Sequence, residues 1–365
     1  MKRKDLLDLL AEVRPALATS DSLSPIFTHY CFDGASLTAY NGSSLGVTTP
    51  FVSPFKGGVP GKTFDDLLTH ISDDEVTLKP GSGNLEIKAG KAVMTLATIP
   101  ADDLASVFEK EFTEIEGQEI RVNGKELLGA ISCCLNSLGS DTGRIDQTGL
   151  LFRRDKEYLV VYGFNNISLS VAEVPLDMSV DLVLPADGVL LPGVFCKLMV
   201  DYLKDDNAVR FEIGERYAMF STGKVNVYGT LIPRPTKIDY DKILDDNFPT
   251  ADSKKLVAIP DGLKKALERA CVIVNTKLDG KLRTEVEVKA GTARLFSRSA
   301  RGEVEDVVEL AKHPDVKLAI DPRPVLDALP FFGKDGRVLF ERKCAVLNRK
   351  AQTYMVAAFQ PPSSK

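Results

Sequence analysis

Gly61-Lys62-Thr63, within FKGGVPGKTFDDLLTHI, has the tail of a phosphate-binding loop with a helical pattern directly behind it. Such a loop wraps backbone N–H groups around phosphates and needs a glycine five positions before Gly61. Lys56 stands there, and Pro60 removes a donor where the cradle needs one. The stretch is therefore read as a strand-to-helix turn. The paired carboxylates Asp65-Asp66, Asp73-Asp74, Asp205-Asp206 and Asp245-Asp246 are the kind of ligand a metal-dependent nuclease uses. They fall in turns and on polar helix faces, where Asp serves local hydrogen bonding. Cys31, Cys133, Cys134, Cys196, Cys271 and Cys344 show no CxxC, and His29, His70 and His313 have no second ligand at metal spacing. With no nucleophile–base pair either, the chain is expected to be no enzyme, with neither metal nor cofactor.

The cysteines sit mostly in apolar runs such as AISCCLNSL, which predicts buried thiols in a reducing cytoplasm. No apolar run approaches the roughly 20 residues of a membrane span. MKRKDLLDLLAEV is read as an amphipathic helix and not a signal peptide. The formal charge of −5 argues against a protein that coats nucleic acid. Its distribution is uneven: residues 1–117 carry −7, and the last part, from 247 on, carries +7.

The near-loop stretch has two cousins. GKTFDDLLTHISDDEVTLKPG, PGVFCKLMVDYLKDDNAVRFEIG and PRPVLDALPFFGKDGRVLFER each read as a short amphipathic helix, a turn and an alternating strand. KRKDLLDLLAEVRPAL, NGKELLGAISCCLNSL and PDGLKKALERACVIV supply a second helix ahead of each, followed by strand pairs. The chain thus reads as three copies of a helix–strands–helix–strands unit, over residues 1–117, 118–246 and 247–365. The fold class expected is α+β, with helices packed on antiparallel sheets.

At IPRPTKIDYDKILDDNFP the chain resembles the link between the second and third domains of the bacterial DNA sliding clamp, the beta subunit of DNA polymerase III. SLSPIFTHYCF, CVIVNTKLDGKLRTEVEVKAG and TYMVAAFQP are similar to three further segments of that family, in the same order along the chain. The resemblance implies a divergent member that dimerises head to tail into a ring of six similar domains. Helices would line the hole and tether a polymerase to duplex DNA without sequence preference.

On that reading Lys62, Lys125, Lys197, Lys204, Lys264, Lys265 and Arg269 are the phosphate-facing set, lying on or at the start of the helices. The family's partner-peptide cleft maps to Leu169, Ile238, Lys242, Ile243, Val346, Ala357, Ala358 and Phe359. Polymerase and clamp loader would dock there through short linear peptides. The family's closing Met-Pro-Met-Arg is Ala357-Ala358-Phe359-Gln360 here, which implies a different peptide. The dimer seam maps to Asp102, Asp103 and Leu104 in an expected edge strand IPADDLASV, and to Val272, Ile273, Arg298 and Arg301. Asp-to-Arg pairing across that seam is the expectation. The alternative is a scaffold of clamp fold that does not encircle DNA.

Overall fold

The computed structural model describes residues 1–19, 24–42, 44–104, 118–139, 143–176, 184–203, 208–233, 238–247, 254–274 and 283–359. The fold is α+β, and its strand pairs are antiparallel. A first round of elements runs α1 (Arg3–Val13), β1 (His29–Phe32), β2 (Ser36–Tyr40), β3 (Leu45–Pro50), β4 (Gly57–Pro60), α2 (Gly61–His70), β5 (Thr77–Pro80), β6 (Asn84–Ala89) and β7 (Ala92–Ala97). The second runs β8 (Gln118–Asn123), α3 (Gly124–Leu135), β9 (Gly149–Asp155), β10 (Tyr158–Phe164), β11 (Ser168–Pro175), β12 (Val189–Pro192), α4 (Gly193–Tyr202), β13 (Ala208–Ile213), β14 (Tyr217–Ser221) and β15 (Asn226–Thr230). After a connecting helix α5 (Tyr240–Asn247) the third runs β16 (Val257–Ala258), α6 (Asp261–Val274), β17 (Thr284–Lys289), β18 (Thr292–Ser299), β19 (Gly302–Glu309) and β20 (Val316–Ile320). It closes with α7 (Pro322–Phe332), β21 (Arg337–Phe340), β22 (Cys344–Arg349) and β23 (Gln352–Ala357). Lys2, bridged to Glu75, stands in the first round where β8 and β16 stand later.

The helices form where apolar residues recur at helical spacing. α1 buries Leu6, Leu10 and Val13, and α2 buries Phe64 and Leu68. In α6 the buried stripe is Leu263, Ala266, Leu267, Ala270 and Val274. Burying one such leucine stabilises by roughly 1.5–3 kcal/mol relative to leaving it exposed. At α7 Asp321 accepts a hydrogen bond from the N–H of Arg323, and Pro322 opens the helix without losing a needed donor.

The sheets do not stop at the ends of the rounds. One eight-stranded sheet runs β4-β1-β2-β3-β15-β14-β13-β8, and another β12-β9-β10-β11-β23-β22-β21-β16. Each joins half of one round to half of the next, through β3·β15 and β11·β23. Left over are a four-stranded sheet, β19-β18-β17-β20, and a three-stranded one, β5-β6-β7. By contacts the chain forms two compact units: Met1–Lys125 with Asp177–Leu184 and Val194–Leu231, and Glu126–Leu176 with Pro185–Gly193 and Ile232–Lys365.

The Gly-Lys-Thr turn now has a steric reason. A Cβ at Gly61 would lie 2.5 Å from the Leu17 side chain and 3.1 Å from the Thr28 carbonyl oxygen. Gly193 opens α4 in the same way: a Cβ there would lie 2.8 Å from the Thr148 carbonyl, to which its own N–H donates. Only a residue without a side chain lets the helix start so close to these groups.

His313 is 5% exposed in the second unit. The N–H of Phe340 donates to its Nε2 at 2.9 Å, so Nδ1 carries the proton and donates to the Pro314 carbonyl at 2.7 Å. Burial pushes the imidazole pKa below its ordinary value, against the opposing pull of the Pro314 carbonyl and of Glu341. A depressed pKa means the unfolded chain binds the proton first. The stability contribution is therefore complete above about 6.5, the usual histidine value, and is lost as pH falls through the folded-state value. Denaturant unfolding should show the wild type losing more stability between pH 7.5 and 5 than His313→Gln; equal losses would mean His313 is not the titrating group.

Candidate functional site

An apolar pocket of about 170 Å³ lies in the second unit. Its lining comes from the β10–β11 turn (Phe164 to Leu169), from α5 (Ile243, Asn247), from the start of β22 (Lys343, Cys344) and from β23 (Met355, Ala357). Asn165 shapes the turn: its Oδ1 accepts from the N–H groups of Ile167 and Ser168, both at 2.8 Å. The Ala357 N–H then donates to the Ile167 carbonyl, continuing the β11·β23 ladder to the pocket mouth.

α5 is held by a charged network. Asp239 caps it through the N–H of Lys242 at 2.9 Å. Asp241 accepts from Arg153 Nη2 at 2.6 Å and from the Tyr162 hydroxyl at 2.7 Å. The Tyr162 ring stacks on Tyr240 with centroids 5.3 Å apart, and Arg153 lies over the Tyr162 ring. Burial and then the Asp241 carboxylate push the Tyr162 hydroxyl well above the usual phenol range, so it stays a donor. These contacts fix the helix that supplies Ile243 and Asn247 to the pocket wall.

Of the eight expected cleft residues, Leu169, Ile243 and Ala357 line this pocket. Val346 is fully buried in the apolar cluster behind it, and Ile238 packs on that cluster. Lys242 is exposed on α5, outside the lining. Ala358 packs on a separate core cluster, and Phe359 is 40% exposed. Sequence reasoning did not single out Phe164, Asn165, Asn166, Ile167, Ser168, Asn247, Lys343, Cys344 or Met355. Of these the Asn-Asn pair carried a readable signal, as a turn former.

Lys62, Lys125 and Lys197 are exposed in the first unit, Lys264 and Lys265 in the second. Lys204 lies outside the described residues. Arg269 is already engaged, its Nε and Nη2 donating to both carboxylate oxygens of Asp306. Lys264 stands 3.9 Å from Glu268.

The expected edge strand around Asp102 is not one: residues 101–104 are helical. Pro100 presets the first helical turn, and the Asp102 and Asp103 carboxylates suit a helix start. Both are exposed, while Leu104 is buried, its side chain close over Gly58. Val272 is 68% exposed on α6, and Ile273 is half-buried with its carbonyl taking the Ser299 hydroxyl. Arg298 lies 3.9 Å from Glu303 across the β18–β19 hairpin, and Arg301 is exposed in its turn.

Among the paired carboxylates Asp65 has local work. Asp65 takes the Arg14 Nε and the Tyr30 hydroxyl, each at 2.8 Å. Asp205 and Asp206 lie outside the described residues. Among the described residues no group of three or more His, Cys, Asp or Glu is placed to hold a metal.

Comparison with solved structures gives the class. The chain superposes on the Caulobacter crescentus beta sliding clamp with a TM-score of 0.84 at 18% identity, over 99% of this chain and 98% of that one. The DNA polymerase III beta subunit of Pseudomonas aeruginosa gives 0.83 at 18%, over 99% of both chains. That of Thermotoga maritima gives 0.80 at 21%, over 99% and 98%. No protein-family model and no curated protein matches the chain. The chain has the sliding-clamp fold along its whole length.

Removing Asp241 tests the pocket wall. Asp241→Ala leaves Arg153 and Tyr162 without their anion and should cost about 1 kcal/mol, the exposure of the pair limiting the loss. Labelling of Cys344, followed site by site by mass spectrometry, should also speed up as α5 loosens. An unchanged Cys344 rate would show that the network does not hold the wall.

Proposed function

We propose that this chain is a DNA polymerase processivity factor: a three-domain protomer that pairs head to tail with a second copy, closes a ring around duplex DNA and tethers a polymerase through the α5 pocket. The observation that carries the reading is the sheet topology. β19 follows β18 as β11 follows β10: Asp155 pairs Tyr158 and Lys289 pairs Thr292 at the preceding hairpin, then Tyr158 pairs Pro175 and Thr292 pairs Glu309. β7 follows β6 as β23 follows β22, with Ala89 paired to Ala92 and Arg349 to Gln352. All four of these two-residue turns begin with a left-handed residue: Lys156, Ala290, Lys350 and Gly90, at φ of 53°, 52°, 50° and 55°.

β11 and β23 are joined within the chain, whereas their equivalents β19 and β7 each have a neighbour on one side only among the described residues. A second copy supplies the missing partner, and two such joins close the assembly. Carrying over the β11·β23 register places Val304 opposite Met94 of the other copy, as Ser170 stands opposite Tyr354. The bonds from the Ala357 N–H to the Ile167 carbonyl and from the Glu173 N–H to the Ala351 carbonyl mark the odd β11 positions as the hydrogen-bonded pairs. Ser170–Tyr354 is therefore a close, non-hydrogen-bonded pair, and Val304–Met94 takes the same geometry. Val93 and Val307 are 56% and 64% exposed on these two strands in the lone protomer. The opposite charges of the chain's two ends steer the encounter at long range.

The lysines left exposed on the helices, Lys62, Lys125, Lys197, Lys264 and Lys265, form the phosphate-facing set, with contacts loose enough for sliding. The ring catalyses nothing and works in the cytoplasm. No described helix is long and apolar enough to cross a membrane. As support for a tethering site on this fold, the Caulobacter clamp holds polyethylene glycol in the region assigned to motif tethering.

Met94→Cys combined with Val304→Cys should oxidise to a covalent dimer of twice 39.8 kDa. Met94→Cys with Glu303→Cys should not. The cross-linked ring, closed around nicked circular DNA, should stay bound through a high-salt wash and be lost when the circle is linearised. A cross-linked dimer that never stays on the circle would favour the scaffold reading, and a monomer at every concentration would remove the ring.

A further inference from the structure

At the end of β19 one charge is left without an answer. Glu303, Glu305 and Asp306 each have an arginine of their own chain beside them. Glu309 is exposed and makes no ion pair among the described residues. It borders a hollow of about 470 Å³, remote in sequence from α5, with Ala290, Thr292 and Lys312 among the other walls. Backbone bonds fix those walls: the Leu310 N–H donates to the Gly291 carbonyl at 2.7 Å, and Asp315 Oδ1 takes the Ala290 N–H at 2.8 Å. Lys312 stands at φ 67°, a conformation that glycine takes more readily. Its ammonium also has no ion pair among the described residues. A strained residue and two unpaired charges of opposite sign at one hollow point to an occupant from outside the protomer.

The register carried over from β11·β23 says what reaches it. With Val304 opposite Met94 of the other copy, Val307 stands opposite that copy's Lys91, as Glu173 stands to Ala351 within the chain. Directly opposed residues share a face of the sheet, and so do alternate residues of one strand. Val307, Glu309 and the incoming Lys91 are therefore on one face. Glu309 is the diagonal neighbour of Lys91, within reach of its long side chain. Lys91 is exposed at the tip of the β6–β7 hairpin and has no ion pair among the described residues. The tip carries a carboxylate as well: a Cβ at Gly90 would lie 2.6 Å from Asp73 Oδ1, so Asp73 lies over the turn. A tip with one charge of each sign thus meets a hollow with one of each.

We propose that this hollow is a socket for the tip of the other copy's β6–β7 hairpin, fastened by an ion pair between Lys91 and Glu309. This rests on the head-to-tail reading of the proposed function and adds a fastening to it. Strand pairing sets the register of the seam, and the socket at its end sets how readily the seam opens and makes that opening sensitive to salt. The join inside the chain supplies the contrast. There Pro175, paired to Tyr158, occupies the place of Glu309, and Ala351 occupies that of Lys91. A join that is covalently tethered lacks the pair, and the one that has to open carries it.

The test measures the dimer dissociation constant of the full-length chain by sedimentation at low and high salt. Glu309→Lys should weaken the dimer by about tenfold at low salt, since each ring has two seams, and by less at high salt. Lys91→Glu should do the same. Lys91→Glu and Glu309→Lys together in one chain should restore the constant of the unaltered protein. Both positions are exposed, and melting curves serve as the folding control. An unchanged constant in Glu309→Lys, or a double variant no tighter than either single one, would overturn the socket. The Met94→Cys, Val304→Cys chain is oxidised alongside, and its cross-linking would leave the ring standing in that case. A chain that neither dimerises nor cross-links would remove the ring and the socket with it.

Discussion

The open edge of an antiparallel sheet is the constraint on which the rest of this molecule depends. Every strand at an edge shows a row of unpaired N–H and C=O groups, and proteins either pair such edges or protect them. Here the chain pairs two of them internally, β3 with β15 and β11 with β23, and so builds its eight-stranded sheets across the repeats. The equivalent edges of β7 and β19 are left, and their treatment is informative. Charges are the usual guard against stray pairing, and β19 carries Glu303, Glu305, Asp306 and, at its end, Glu309. The first three have a cation of their own chain beside them: Arg298, Arg294 and Arg269 in turn. The Arg294 hydrogen bond pulls the Glu305 carboxyl below its ordinary range. Exposed pairs of this kind add little to stability. What they do is offset three of the four negative charges of the strand, so the edge is not guarded by a full wall of like charge.

How much of this was legible in the sequence differs by range of interaction. Stripes such as Leu6–Leu10–Val13 and Leu263–Leu267–Ala270 depend on neighbours one turn away, so the helices could be read directly. The repeat was legible too, because similar local patterns recur in the same order. The fusion of sheets was not: Val47 meets Val227 across a gap that no local pattern reports. The helix at residues 101–104 was missed for the opposite reason. Its start signals, Pro100 and two aspartates, were on the page, but the family match to an edge strand outweighed them.

The candidate site shows the same division. Leu169 and Ile243 were found because they are apolar and lie in segments with a family counterpart, and both line the pocket. Val346 satisfied the same criteria and is core: it shares the β22 face of the pocket-lining Cys344 but lies further along the strand, fully buried in the same cluster. Arg153 and Asp241 lie far apart in the chain, and only the fold brings them to 2.6 Å. Arg269 illustrates the reverse. Its place on a polar helix face made it a candidate for phosphate, but the fold supplies Asp306 as a closer anion. A phosphate would have to displace a two-point carboxylate contact to reach Arg269.

That difference between engaged and unengaged cations bears on how a polyanion would be held. For a protein that has to hold a polyanion without gripping it, a few exposed lysines on a chain of net negative charge are enough. Tighter contacts would add affinity and salt dependence, and they would slow movement along the duplex. For a pocket that has to choose among peptides, the logic inverts. Apolar walls accept many side chains and discriminate weakly, by a factor set by one or two methylenes. In the α5 pocket the amides are tied to the protein's own backbone and to Arg144, so its walls present mainly apolar surface.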